Sequence, residues 1–203
     1  MERRSWTPVV GAAVVLALLS LASNVTTAAQ TTGGADALLA VRGTLSRLLN
    51  AGTVWAGLGV LAGWLLRRPA RAAVGGVLSL LTACVVHYGT GRVLGVFEPS
   101  VWADNSSWFA AAVVVGGPLG LVGALARRPG GRGVPARLVV PAGAVLEPFV
   151  TGLFATPAVA TWPQRVADLA SGTVLLTAGA AGCLAVLAAT RRAPRRPRAR
   201  AAA

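Results

Sequence analysis

Few side chains in this sequence could handle a proton within an apolar setting. Glu147 lies about halfway along the apolar run 138–156 and is the one acidic residue at that depth. His87 is the single histidine; Tyr88 follows it, and Arg92 stands five residues further on. An ionised carboxylate facing lipid costs a few kcal/mol. Glu147 is therefore expected to face other helices, to be protonated by desolvation or to find a cation. Glu147, His87, Tyr88 and Arg92 form the candidate buried polar site. At 1.5 Å per residue, His87 falls about 8 Å outward of Glu147. Tilt and side-chain length would close part of that gap, and Arg92 can snorkel at the outer boundary. Two readings follow. One is a proton- or substrate-binding site on Glu147 with His87 as relay. The other is a polar clamp joining the third and fifth spans.

The elements that carry these residues read as an all-α polytopic transmembrane bundle. The chain is 55% hydrophobic and only 12% charged, where a soluble domain is about a quarter charged. A membrane-crossing helix needs about 20 mostly apolar residues. Six stretches qualify, at about 6–23, 48–66, 72–91, 108–126, 138–156 and 166–190. The first also suits a signal peptide cleaved after Thr27-Ala28-Ala29, which would leave five spans. Before the second span, Asp36 can cap a helix over 37–50, with Leu38, Val41, Leu45 and Leu48 at helical spacing. Such a helix either lies in the membrane interface or leads directly into the span. Residues 191–203 form an arginine-rich, proline-broken tail, expected to be disordered.

All nineteen basic residues are arginine, and fifteen fall in four clusters: Arg3-Arg4, Arg67-Arg68-Arg71, the loop from Arg127 to Arg137, and the tail. With the N-terminus inside, all fifteen lie on the cytoplasmic side, leaving Arg42, Arg47, Arg92 and Arg165 outside, as the positive-inside rule requires. Trp6 and Trp64 then fall at inner boundaries, and Trp102, Trp108 and Trp162 at outer ones. Both termini are expected in the cytoplasm of a bacterial cell, since arginine without lysine beside abundant Ala, Gly and Val suits a high-GC genome. The expected partners are the bilayer itself, anionic inner-leaflet lipids under the tail, and a second copy or another membrane protein. Nucleic acid is not expected, because the charge sits at span ends without interleaved aromatics.

Enzyme signatures are missing. One histidine excludes a multi-histidine metal site, and one acid at depth excludes a paired-carboxylate site. No G-x-S-x-G, Walker or HExxH motif occurs. Ser79 and His87 share a span, without an oxyanion hole to serve them. Cys84 and Cys183 lie inside spans and read as small packing residues. No catalytic residue, metal or cofactor is expected. Small residues mark where helices should touch: Gly59 and Gly63 in the second span; Gly116, Gly117, Gly120 and Gly123 in the fourth. Pro118, Pro141 and Pro148 should bend their helices.

Taken together, Leu49-Asn50, Trp55, Gly63, His87-Tyr88, Trp108, Gly116-Gly117-Pro118-Leu119-Gly120, Gly123 and Glu147 resemble a family of small actinobacterial multi-pass membrane proteins of unknown function. The resemblance covers about 48–190 and departs at His87-Tyr88, where such relatives often carry paired aromatics. It implies the same topology and no particular reaction. The expected role is a non-enzymatic membrane scaffold or accessory protein. The alternatives are a small-solute or proton-coupled transporter centred on Glu147 and, more remotely, an intramembrane enzyme. Reporter fusions test the orientation: a fusion within 127–137 should report the cytoplasm, and periplasmic activity there would overturn the map.

Overall fold

The computed structural model describes residues 6–192. Those residues form helices and no strands: α1 Trp6–Asn24, α2 Ala28–Thr31, α3 Asp36–Leu49, α4 Gly52–Leu66, α5 Pro69–Val93, α6 Val101–Asp104, α7 Ser106–Ala126, α8 Val134–Val150 and α9 Trp162–Arg192. The expected tail therefore begins as helix, through Arg192, and its remainder lies outside the described residues, as do Arg3 and Arg4. Five helices are long and apolar enough to cross a membrane, or six if α3 and α4 count as one broken span. The protein is a polytopic helical bundle.

Sequence chemistry sets several of the boundaries. Pro69 opens α5 at a position where its missing N–H leaves no bond unmade. Only Arg67 and Arg68 separate α4 from α5, and Arg67 takes a φ of 63° to make that turn. The fifth apolar run stops being helical at Val150, six residues before its apolar composition ends. Glu147 consequently lies in the last turn of α8, where a position midway along the span was expected. Pro118, Pro141 and Pro148 all lie inside helices.

The apolar run 48–66 hides a break. Asn50 and Ala51 are not helical, and α3 meets α4 at 41°. Measured along α4 from Leu66, Gly52 lies about 21 Å from the arginine-rich end. That falls short of the roughly 30 Å thickness of a hydrocarbon layer. α3 continues beyond the break and packs between α1 and α9, while Leu38, Val41 and Leu45 are exposed on one face. This is an amphipathic arrangement, joined to the span by a bend.

α1 is a packed member of the bundle. Its Ala13 and Ala17 are fully buried against Leu58, Leu80, Ala83 and Ala112 of α4, α5 and α7, and Val9 packs on Ala62 and Leu66. The tightest contacts lie toward the arginine end, where α7 crosses α4 and α5. A methyl at Gly63 or at Gly120 would overlap a backbone carbonyl of the facing helix. The same holds at Gly123 against Val60 and at Gly76 against Gly116. Gly59 is less tight, with Leu119 Cβ 3.1 Å from where its own Cβ would be, and Gly117 has ordinary room, with Val77 at 3.9 Å. In lipid, where apolar contact brings little net gain, such backbone approach is the main source of helix association. α8 and α9 form a second close pair, joined at Gly179 against Pro141 and Val145.

These distances separate two neighbouring glycines. Gly120→Val should lower stability in detergent by about 3 kcal/mol or more, since backbone has to move. Gly117→Ala should change it by less than about 0.5 kcal/mol. Thermal unfolding followed by circular dichroism measures both; equal effects would contradict the packing described.

Candidate functional site

Glu147 meets the break between α3 and α4. One carboxylate oxygen accepts from the Gly52 backbone N–H at 2.6 Å, and the other accepts from the Thr53 N–H at 2.8 Å and from the Thr53 hydroxyl. The first N–H groups of a helix have no partner within it, and an anion there also meets the positive end of the helix dipole. A side chain ninety-five residues away in sequence thus does the work of an N-terminal cap. The freed backbone on the other side of the break is paired as well. The indole N–H of Trp55 donates to the Leu49 carbonyl at 3.0 Å. The Asn50 N–H donates to Ser46 O, and the Ala51 N–H to Leu48 O.

His87 engages a different set of groups. It is buried at 4% exposure, and its Nδ1 lies 3.1 Å from Ser20 Oγ and 3.3 Å from the Ala17 carbonyl. A carbonyl can only accept, so the Ala17 contact is a hydrogen bond in the tautomer that carries the proton on Nδ1. The Ser20 hydroxyl in turn donates to Asn50 Oδ1 at 2.7 Å. Asn50 Nδ2 reaches Asn24 Oδ1 and the Ser46 carbonyl, and Ser46 Oγ also donates to Asn24 Oδ1. This chain ties α1, α3 and α5 together at the far end of the bundle from the arginine loops. The Ser20 hydroxyl is thus engaged by Asn50 Oδ1. Ser79 instead bonds Gly76 O of its own helix.

Around His87 stand Trp55, Tyr88 and Phe97, with ring centroids 6.3, 4.9 and 5.5 Å away. Tyr88 donates its hydroxyl to Asn105 Oδ1 at 3.0 Å and packs on Phe109. Arg92 is exposed at the end of α5. The four expected site residues therefore divide. His87 and Tyr88 share one aromatic and polar cluster, Arg92 sits at its rim, and Glu147 belongs to the α4 cap. The clamp made by Glu147 joins the fifth span to the second; the third was expected.

Ser20, Asn24, Ser46 and Asn50 did not stand out in the sequence. A signal was present: Ser20/Asn24 and Ser46/Asn50 are each spaced by four, which places both members on one helix face. Near the same end, Arg42 donates to Ser23 O at the end of α1, and Arg47 pairs with Asp168 at 2.5 Å, joining α3 to α9. At the opposite end, arginines hold helix C-termini. Arg137 donates to Ala126 O and Arg128 O, and Arg127 reaches Trp64 O and stacks on its ring at 5.1 Å. Among the described residues, no group of three or more His, Cys, Asp or Glu side chains could hold a metal ion.

No protein-family model, curated protein or solved structure matches the chain.

The network predicts different costs for two buried serines. Ser20→Ala removes bonds to both His87 and Asn50 and should destabilise by about 1–2 kcal/mol. Ser79→Ala loses a bond within its own helix and should stay within about 0.5 kcal/mol. Unfolding midpoints in detergent decide between them, and a loss at Ser79 as large as that at Ser20 would count against the network.

Proposed function

We propose that this protein is a non-enzymatic component of the bacterial plasma membrane, a small helical bundle that works by packing with itself or with another membrane protein. The observation that carries this reading is the use made of Glu147. Both of its oxygens are occupied by the first turn of α4. In a carrier, the one acid at this depth would have to exchange that cap for a solute or proton. The close glycine contacts among α4, α5 and α7 support a static bundle in the same way. The cytoplasmic placement of both termini rests on the arginine distribution, and the tail would then lie against anionic headgroups of the inner leaflet. Kinship with small actinobacterial membrane proteins is part of the same reading.

One feature favours a second reading, a small-solute or proton-coupled transporter. Carriers often build their sites at the termini of broken helices, with a half-helix N-terminus aimed at an anionic group. Here α4 begins at such a break and faces a carboxylate.

Photo-crosslinking in native membranes separates the two. With a photoreactive residue at the exposed positions Val114 or Val74, the scaffold reading expects a discrete protein adduct, unchanged by Glu147→Gln. Absence of any protein adduct, together with solute or proton flux into proteoliposomes that Glu147→Gln abolishes, would establish the transporter instead.

A further inference from the structure

We propose that a cavity between α4, α5 and α7 is a binding site for one acyl chain of a membrane lipid, entered from the end of the bundle opposite the arginine loops. Its origin is geometric. α7 touches α4 and α5 backbone to backbone at Gly63–Gly120, Gly123–Val60 and Gly76–Gly116. Beside and beyond these contacts, the three helices flank a half-open groove of about 300 Å³.

The lining is graded. Leu80, Cys84 and Leu119 form the deep part, and Asn50, Tyr88 and Trp108 lie toward the far end. An apolar cavity stays free of water and takes an apolar guest. The polar lining groups Asn50 and Tyr88 lie at the far end of the groove. Tyr88 and Trp108 are also residue types that gather at the membrane interface. Length agrees: from Trp108 to Leu119 along α7 is about 16 Å, close to half of the roughly 30 Å hydrocarbon layer. The slot thus has the depth of one leaflet.

Size selects the occupant. A helix about 10 Å across and 16 Å long would fill on the order of 1,250 Å³, far more than this cavity offers. A polar solute would lose its hydration against apolar walls. A lipid chain is apolar, narrow and as long as the slot.

The test uses the full chain in proteoliposomes of phosphatidylglycerol and phosphatidylethanolamine. A trace phospholipid carries a diazirine midway along one acyl chain. After irradiation, adducts are mapped by peptide mass spectrometry. Labelling should be enriched on the buried Leu80 and Cys84 and the half-buried Leu119 over the exposed Leu184 and Leu187. Ala111→Phe and Ala56→Leu add bulk to the lining. Each should cut cavity labelling by about tenfold, as expected for losing about two buried methylene contacts, and leave Leu184 and Leu187 unchanged. Two substitutions on different helices guard against one that fails to fold. Two results would overturn the proposal: no enrichment at the cavity residues, or cavity labelling unaffected by either folded variant.

Discussion

A helix needs acceptors for its first N–H groups, and for α4 of this protein the acceptor is Glu147. A backbone N–H left without a partner costs about 1–3 kcal/mol where water does not reach it. The break at Asn50-Ala51 exposes such groups, and the carboxylate from α8 takes up Gly52 and Thr53. Charge and cap satisfy each other. The acid avoids facing lipid unpaired, and the helix start avoids being left bare. The same pairing fixes where α8 sits against α4, and the break lets α3 turn away to meet α1 and α9.

The two ends of the bundle are held by different physics. At the arginine end, glycines allow backbones to touch, and arginines cover helix C-termini at Trp64, Ala126 and Arg128. A cation there complements the negative end of the dipole as well as its free carbonyls. At the far end, hydrogen bonds carry the specificity through Ser20, His87, Asn50, Asn24 and Ser46, with the Arg47–Asp168 pair beside them. The arginine clusters that give the sequence its charge pattern thus also close helices, locally and visibly.

Much of the fold was legible in the sequence because its signals are local. Apolar length located the membrane helices, and small-residue spacing picked out Gly63, Gly120 and Gly123, where a methyl would strike backbone. Gly117 belongs to the same run yet faces ordinary space, because spacing alone does not tell which of two adjacent glycines turns inward. The break before α4 was hidden for a related reason. No proline marks it, and the apolar run 48–66 continues through it. What makes the break tolerable is a carboxylate from a distant helix, which no local pattern encodes. Glu147 itself was conspicuous, but its partner is backbone, and backbone leaves no trace in a residue list. His87 was conspicuous too, while Ser20 lies sixty-seven residues away.

Amide hydrogen exchange across the first turn of α4 tests the cap most directly. In the wild-type protein in nanodiscs, Gly52 and Thr53 should be protected. Glu147→Ala should speed their exchange by about 5- to 150-fold, corresponding to roughly 1–3 kcal/mol of lost pairing, while protection in the middle of α5 stays as it was. Unchanged exchange at Gly52 and Thr53 in a folded Glu147→Ala variant would contradict the account.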